Sequence, residues 1–426
     1  MLKKIELLKY NEAIYFDKLD NGLEVYLWPN NKVSNYYATF SAKYGSVDTK
    51  FKVGSKTIEV PKGLAHFLEH IKFNEGPNKT AHDFYNKLGT SINAFTTFDF
   101  TSYEVFGSDK IEENITHLLD YVQNPYFTKE LIEKEKKIIL NEVKMGKNNP
   151  YKVLYYALNN ALYTHDQRKY FVTGDEDDVK SITIDDVHAA YDNFYHPSNM
   201  FLVVTGNFNP EYLATVIREN QNNKTFAKYT NPIKIKTNEG LKVAESEKEI
   251  YGNVSAPKVK IAYKIKKSEL VFLNDVEKLI YPRIILNANF GSTSEVREYL
   301  LENNLVTKLG CNASLCEDYL IIILSAETKC PKEIVKILDE TFKKMTLNKE
   351  RLERRIRCNI ASVIYGFDDI EYMNAHIQDN IMTYNKIIDN EYDIYKSLNV
   401  TTAKKVIDKM VTDNKTVVTM LPKEEK

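Results

Sequence analysis

The stretch Gly63-Leu64-Ala65-His66-Phe67-Leu68-Glu69-His70 is the most informative part of this sequence. Its apolar residues recur at a spacing of three to four, which predicts a helix. On a helix, His66 and His70 lie one turn apart on one face, so both imidazoles can reach one ion, and Glu69 projects beside them. The stretch therefore predicts a metal site that is built on a helix.

A third metal ligand is needed, because a hydrolytic zinc site usually has three protein donors and one position for water. The segment 129–145 has a helical apolar pattern and carries Glu135 and Glu142, two turns apart on nearly the same face. Glu142 has four aliphatic neighbours in the sequence: Ile138, Ile139, Leu140 and Val143. A carboxylate on an apolar side is costly unless it is paired or bound to a metal. Glu142 is therefore predicted as the third ligand, and Glu135 as a residue that orients a ligand or polarises the site.

Each of these residues also has an ordinary structural interpretation. A single histidine in a helix is more often a core or surface residue, and a single glutamate is usually a solvated charge. The short H-x-x-E-H pattern also arises by chance. The combination of this pattern with a distal glutamate favours the metal site. The other histidines lack a partner at ligand spacing and are interpreted as structural: His82, His117, His165, His188, His196 and His376.

The predicted donor set indicates hydrolytic chemistry. Zn²⁺ held by two histidines and one glutamate keeps a water in its open position, lowers the pKa of that water and polarises a carbonyl group. Glu69 is spare as a ligand and can take the proton from the water and pass it to the leaving amine. We therefore expect one Zn²⁺ per chain, with Glu69 and Glu135 as catalytic residues.

A short segment after the motif helix predicts a peptide-binding strand. Asn93, Ala94, Phe95 and Thr96 lie in the stretch 92–97, which has the pattern of a strand. An exposed strand edge can pair with an extended peptide through main-chain hydrogen bonds, with little demand on the sequence of the peptide. The alternative is a strand inside the sheet that has no such role.

Composition and charge exclude several classes of protein. The 426 residues are 43% hydrophobic and 27% charged, as in an ordered globular protein with more than one domain. The 58 basic residues nearly cancel the 59 acidic ones, so no overall field favours nucleic acid or an anionic membrane. The start of the chain lacks the apolar stretch of a secretory signal, and the longest apolar run is too short to cross a bilayer. These features predict a cytoplasmic protein.

Both halves of the chain repeat the same mixture of elements. The first half predicts strands at 23–27, 36–44, 92–97, 101–106 and 201–205, and helices at 63–73, 81–88, 111–122, 129–145, 151–162 and 184–194. The second half predicts strands at 259–265, 319–325 and 417–421, and helices at 271–286, 294–303, 332–345, 349–365, 371–384 and 402–411. A polar stretch without a sustained period separates them. We expect an α+β fold of two related domains, each a mostly antiparallel sheet packed with helices, at 1–222 and 241–426, with a linker at 223–240.

These residues resemble the pitrilysin or insulinase family of inverzincins. His66-Phe67-Leu68-Glu69-His70 is similar to the H-x-x-E-H motif of the family, Glu142 to its distal ligand, and Asn93 to Thr96 to its edge strand. The resemblance implies a fold of the LuxS and mitochondrial processing peptidase type. It also implies peptides or unfolded segments as substrates, including leader or bacteriocin-like peptides. At this length the chain resembles the small bacterial members, in which two chains close around a chamber as a homodimer or as a heterodimer with a related chain that lacks the motif.

The sequence departs from the family at two positions. Many active members carry an Arg and a Tyr in the second half that hold the substrate, and the matching positions here are Leu300 and Thr307. We therefore expect that a non-identical partner chain supplies these groups. The leading interpretation is a zinc endopeptidase. The rivals are a non-catalytic scaffold or peptide-binding subunit of a heterodimer, and a peptide-binding module with a structural zinc, although such a zinc would need a fourth protein ligand.

Overall fold

The computed structural model describes residues 2–423, which form two compact units. The first unit contains the chain up to Lys144 together with Phe171–Lys236 and Ile364–Asp389. The second unit contains Met145–Tyr170, Thr237–Val363 and the chain from Asn390 onward. Each unit has its own sheet and its own apolar core.

Strands and helices occur along the whole chain. The strands are β1 (Lys3–Leu7), β2 (Glu12–Lys18), β3 (Glu24–Pro29), β4 (Tyr36–Ala42), β5 (Lys50–Val53), β6 (Lys56–Glu59), β7 (Asn74–Gly76), β8 (Lys79–Thr80), β9 (Ser91–Thr96), β10 (Thr101–Gly107), β11 (Met200–Gly206), β12 (Ile233–Lys234), β13 (Glu247–Gly252), β14 (Lys258–Lys266), β15 (Lys308–Cys316), β16 (Tyr319–Glu327) and β17 (Lys415–Pro422). The helices are α1 (Leu64–Ile71), α2 (Ala81–Leu88), α3 (Ile111–Gln123), α4 (Lys129–Asn148), α5 (Pro150–Leu162), α6 (Glu176–Ser181), α7 (Ile184–Phe194), α8 (Pro210–Asn222), α9 (Glu277–Phe290), α10 (Glu295–Glu302), α11 (Pro331–Lys343), α12 (Lys349–Gly366), α13 (Ile370–Tyr384), α14 (Glu391–Ser397) and α15 (Val400–Met410).

The first unit is built on a seven-stranded sheet with the order β1-β2-β3-β11-β4-β10-β9. Its strands pair antiparallel except β11, which runs parallel to β3. Because side chains alternate along a strand, Leu202 and Val204 of β11 join the core on one face, where α1, α3, α7 and α8 pack. Val203 and Thr205 point to the opposite face, which α13 covers.

The face of this sheet beneath α13 is unusually polar. Asn374 of α13 accepts a hydrogen bond from Thr39 Oγ1 at 2.7 Å and donates to the Val203 carbonyl at 3.1 Å. Thr205 Oγ1 donates to the Ile370 carbonyl at 2.7 Å. Since buried polar groups need partners, these bonds fix α13 in one position on the sheet.

The second unit is built on a five-stranded sheet with the order β13-β17-β14-β16-β15, in which only β13 and β17 pair in parallel. Leu154, Leu158 and Leu162 of α5 pack on one face, against Ile321 and Val418 among others. Helix α9 packs against β15. Both units are therefore α+β with mostly antiparallel sheets, as predicted.

The compact units differ from the predicted domains 1–222 and 241–426 by two exchanged segments. Helix α5 lies on the sheet of the second unit, although it comes from the first half of the chain, and α13 lies on the sheet of the first unit. The apolar period predicts both helices but does not say which sheet they cover.

The predicted linker 223–240 contains ordered contacts as well as irregular chain. β12 pairs antiparallel with β5, and Lys234 Nζ lies 2.7 Å from Asp48 Oδ2. Glu239 belongs to the second unit and accepts the backbone N–H groups of Thr164, His165 and Asp166. Within the predicted linker, the chain thus passes from the first unit to the second between Lys236 and Thr237.

Candidate metal centre

Helix α1 carries the motif, and its start is set by one glycine. Gly63 precedes α1 in the left-handed region, with φ of +81°, where a side chain is strained. A Cβ at this position would also lie 2.3 Å from the Thr173 carbonyl oxygen. Only glycine therefore lets the chain enter α1 this close to its neighbour. Nearly all of α1 is buried, and it packs against α7, β9 and β10.

The structure brings His66, His70 and Glu142 together, as the sequence predicts. Glu142 Oε2 of α4 lies 3.5 Å from His66 Nε2 and 3.4 Å from His70 Nε2. The side chain of Glu142 is 35% exposed, and Ile138 is exposed one turn before it. The apolar surroundings expected for Glu142 are therefore only partly present, so its proximity to the two imidazoles is the stronger argument.

The donor atoms fit zinc in both chemistry and spacing. Two ligand atoms at zinc bond lengths of about 2.1 Å in a tetrahedron are about 3.4 Å apart. The two Nε2 to Oε2 separations of 3.5 and 3.4 Å agree with this value. Ligand atoms of His66, Glu69 and His70 also lie within 4.8 Å of one another. The residues present can therefore hold a zinc ion.

Glu135 orients one of the two imidazoles. Its Oε1 lies 3.0 Å from His70 Nδ1, and its side chain is almost fully buried. When Nδ1 donates its proton to this carboxylate, the lone pair of Nε2 is left for a metal. Burial lowers the pKa of His70, but hydrogen bonds to Glu135 and Glu142 outweigh burial and raise it to about 10. The carboxylates thus stabilise positive charge at this point, which also favours a bound cation.

Glu69 lies beside the donor atoms and is held by a residue of β9. Thr96 Oγ1 donates a hydrogen bond to Glu69 Oε2 at 2.5 Å. Burial raises the pKa of Glu69, and the hydrogen bond from Thr96 offsets part of the rise. A buried carboxylate with a raised pKa suits a group that takes up a proton near neutral pH. Sequence reasoning assigned Thr96 to peptide binding and missed this contact, because only the pleat of β9 brings the hydroxyl to α1.

Strand β9 forms the end of the seven-stranded sheet. It pairs antiparallel with β10, and no strand within residues 2–423 pairs with its other side. Asn93, Ala94, Phe95 and Thr96 therefore lie on an edge strand, and the alternative of an interior strand is excluded for the described chain. The edge presents backbone N–H and C=O groups next to the residue that contacts Glu69.

The two positions at which the sequence departs from the family lie in the second unit. Leu300 is fully buried in α10. Thr307 donates its backbone N–H to the Glu327 carbonyl at 2.9 Å. The nearest arginine in sequence, Arg297, donates to the Leu309 carbonyl at 2.9 Å. The fold and the donor set together are those expected of the H-x-x-E-H class of zinc peptidases.

Comparison with known proteins leads to the family. Residues 40–176 match the family model described as Insulinase (Peptidase family M16), and residues 181–357 match the model described as Peptidase M16 inactive domain. The uncharacterized zinc protease YmfH of Bacillus subtilis is 35% identical over 308 residues, which are 72% of this chain and 72% of that protein. The chain therefore belongs to the M16 family of peptidases, the insulinase or pitrilysin family.

Solved structures agree with this assignment. An M16-like peptidase from Alicyclobacillus acidocaldarius is 27% identical and has a TM-score of 0.90, over 96% of this chain and 98% of that chain. A protease from Helicobacter pylori is 18% identical, with a TM-score of 0.81 over 96% of this chain and 100% of that chain, and it supports the fold alone. Within the described residues, no helix is both long and apolar enough to cross a membrane.

Proposed function

We propose that this chain is a zinc-dependent endopeptidase that cleaves short or unfolded peptides. The proposal rests on one observation above all: Glu142 Oε2 lies at zinc-ligand spacing from His66 Nε2 and His70 Nε2, while Glu69 lies beside them. Two imidazoles and one carboxylate are the donors of a hydrolytic zinc site, and they leave one position for water. A stoichiometry of one zinc per chain is supported by the group of His66, Glu69 and His70, which is the one such group found in residues 2–423.

Each group around the proposed site has a different role in peptide hydrolysis. Zinc held by His66, His70 and Glu142 would lower the pKa of a water and polarise the scissile carbonyl. Glu69 takes the proton of the attacking water and passes it to the leaving nitrogen. Glu135 keeps the His70 ring in the orientation that directs Nε2 to the metal.

The peptide would bind along the edge of β9. Asn93 to Thr96 present main-chain donors and acceptors, so an extended segment of almost any sequence can add to the sheet. Such binding requires an extended backbone with unpaired main-chain groups, which short and unfolded peptides offer, whereas most of the main chain of a folded domain is already paired. Leader or bacteriocin-like peptides are the narrower substrate class that we propose.

We further propose that the active form contains a second chain. Leu300 is buried, and Thr307 has only a short side chain at the position of the family's tyrosine, so neither reproduces the substrate contact expected at its position. A heterodimer with a related chain that lacks the motif would supply these groups, whereas a homodimer would not, because its second copy has the same Leu300 and Thr307. The near balance of charge argues against nucleic acid and membranes as partners, and we place the protein in the cytoplasm.

The test is hydrolysis of a quenched fluorescent peptide library by the wild type and by Glu69→Gln, with zinc measured in both. With co-purified partner chains added to both proteins, we expect cleavage by the wild type, loss of cleavage in Glu69→Gln and about one zinc in each protein. Cleavage that persists in Glu69→Gln would refute the role of this residue. Zinc binding without cleavage, even after addition of co-purified partner chains, would instead identify a non-catalytic scaffold or peptide-binding subunit.

A further inference from the structure

The second unit contains a cavity of about 380 Å³ that the proposed chemistry does not use. It lies where α5 begins, over the ends of three neighbouring strands, β14, β16 and β15. Its volume falls in the range of sites for small ligands or single side chains. The charged and aromatic residues that line it are Tyr151, Lys258, Lys260, Arg297, Lys308 and Glu327.

The strand register explains why there is a hollow here. Two rows of residues share this face of the sheet: Lys258, Glu327 and Lys308 in one, and Lys260, Ser325 and Gly310 in the other. Gly310 has no side chain, and a Cβ there would lie 2.9 Å from Ser325 Oγ. Two small residues beside Lys260 therefore leave an open floor, which larger side chains would fill.

The lining of the cavity has an excess of positive charge. Lys258 Nζ pairs with Glu327 Oε2 at 2.5 Å and also lies over the Tyr151 ring, 4.8 Å from its centroid. Glu327 therefore pairs with Lys258 and also attracts its cross-strand neighbour Lys308, so one carboxylate faces four cations. In the described part of the chain, no carboxylate forms an ion pair with Lys260, Arg297 or Lys308.

Lys260 is the cation with the greatest need for a partner. It is partly buried in the middle of the sheet face, and burial lowers the pKa of its ammonium group. A buried charge without a counter-ion is costly, and an anion that enters the cavity would remove this cost. The first turn of α5 adds positive potential, because Tyr151 lies at the N-terminal end of this 13-residue helix.

We propose that this cavity binds a carboxylate group of a peptide substrate, with Lys260 as its main contact and Arg297 and Lys308 as supporting charges. The proposal rests on the proposed peptidase function, because that function makes a peptide the natural carrier of the carboxylate. The group would be either an Asp or Glu side chain or the C-terminal carboxylate. The cavity would then make the enzyme selective for acidic peptides, whereas the edge of β9 is indifferent to side chains.

The test measures binding separately from cleavage. Zinc-loaded Glu69→Gln is titrated with fluorescein-labelled peptides of ten residues, and fluorescence anisotropy is recorded. Three peptides of otherwise neutral sequence are compared. One has a single Glu and an amidated C-terminus, the second has Gln in place of this Glu, and the third has the Gln sequence with a free C-terminal carboxylate. We expect the Glu peptide or the free-acid peptide to bind about tenfold more tightly than its neutral counterpart, the effect of one charge-assisted hydrogen bond.

Variants of two lysines on β14 assign the effect to the cavity. In the Glu69→Gln background, Lys260→Gln should abolish the preference for the carboxylate, and Lys260→Arg should retain most of it. Lys266→Gln removes the same charge from the exposed far end of the same strand, so it should change nothing. Thermal unfolding of each variant shows whether the fold is intact.

Equal affinity for charged and neutral peptides, or a preference that survives Lys260→Gln, would overturn the proposal. The proposal would also be overturned if inorganic phosphate displaced the labelled peptides only when Lys260 is present, while acidic and neutral peptides bound equally well. That result would assign the cavity to phosphate. Because no turnover is measured, a chain that cleaves nothing can still show the preference. Cleavage without any preference would refute only the carboxylate site.

Discussion

Glu239 is predicted to be a main stabilising residue of the second unit. Its carboxylate accepts backbone N–H groups from Thr164, His165 and Asp166 at 3.1, 2.6 and 2.8 Å, and it receives Lys264 Nζ at 2.6 Å. The side chains of Glu239 and Lys264 are 5% and 0% exposed. All four partners of the carboxylate are hydrogen-bond donors. In Glu239→Gln, the NH₂ group of the amide would face some of these donors and could not accept their hydrogen bonds.

The cost of Glu239→Gln follows from these contacts. Removal of one charge from a buried ion pair typically costs about 3 to 5 kcal/mol, because the other charge remains buried without compensation. Lys264 keeps some stabilisation from the Tyr319 ring, whose centroid lies 4.7 Å away. We therefore expect a loss of about 3 kcal/mol in the free energy of unfolding of the second unit. Glu245→Gln is the matched control, since Glu245 pairs with Lys248 on the surface, where a pair contributes less than about 1 kcal/mol.

The same site predicts a dependence on pH. Burial acts to raise the pKa of Glu239, but hydrogen bonds from Lys264 and the backbone N–H groups outweigh it and hold the pKa below its ordinary value. The folded state therefore binds this proton more weakly than the unfolded state. The stabilisation is complete above the ordinary carboxyl pKa of about 4.3 and is lost as the pH falls through the lower, folded value. Wild type should thus lose more stability than Glu239→Gln when the pH falls from 6 to 3.

Urea unfolding followed by hydrogen exchange of β14 and β16 measures this effect in the correct unit. The single tryptophan, Trp28, lies in β3, so its fluorescence follows the first unit instead. The urea midpoints give the free energy of unfolding of each variant. If the values for Glu239→Gln and Glu245→Gln lie within about 1 kcal/mol of each other, Glu239 is not a main stabilising residue. An equal loss of stability at low pH in wild type and Glu239→Gln would lead to the same conclusion.

Three further predictions concern the metal centre. Glu135→Gln should weaken zinc binding about 10- to 100-fold in competition with a chelator, because the imidazole that it orients loses its acceptor; an unchanged affinity would count against that role. Thr96→Val should lower turnover about tenfold while zinc content stays the same, since it removes the hydroxyl that holds Glu69. Gly63→Ala should lower the melting temperature, because its φ of +81° and the carbonyl 2.3 Å from a new Cβ cost at least about 1 to 3 kcal/mol; a stable variant would show that the start of α1 can shift.

The local parts of the fold were predictable because they depend on near neighbours. The helices at 81–88 and 184–194 were predicted with the bounds that the structure has, since Thr80 and Thr183 begin capping boxes beside clear apolar periods. The prediction of a helix from 271 was wrong at its start, because α9 begins at Glu277. Asn274 Oδ1 accepts the N–H of Glu277, and Glu277 Oε2 accepts the N–H of Asn274, a pattern that the apolar period alone does not reveal.

Strands with mixed composition were not predicted. β15 contains glycine, asparagine and serine among its apolar residues, and β1 contains two lysines and one glutamate and has one buried residue, Leu7. Such strands are stabilised by their neighbours in the sheet, so their sequences carry little of the signal. The same holds for β12, which lies inside the predicted linker and has two residues that pair with β5.

The parts of the candidate site that depend on residues close together in the sequence were predictable, and the parts that depend on distant segments were not. His66, Glu69 and His70 follow from one helical turn, and Glu142 and Glu135 follow from a second helix once a third ligand is sought. The contact from Thr96 to Glu69 depends on how β9 lies over α1, which no spacing in the sequence gives. The cavity at Lys260 depends on the register of three strands and was not predicted for the same reason.

The return of α13 to the first sheet has a consequence for synthesis of the chain. The ribosome completes β11 at Gly206, but Asn374 of α13 follows roughly 8 to 34 seconds later at ordinary rates of translation. During this interval the hydroxyl groups of Thr39 and Thr205 lack the acceptors that α13 provides. One face of the nascent sheet is therefore exposed to other chains. A message truncated before α13 would therefore yield a first sheet whose polar face stays uncovered.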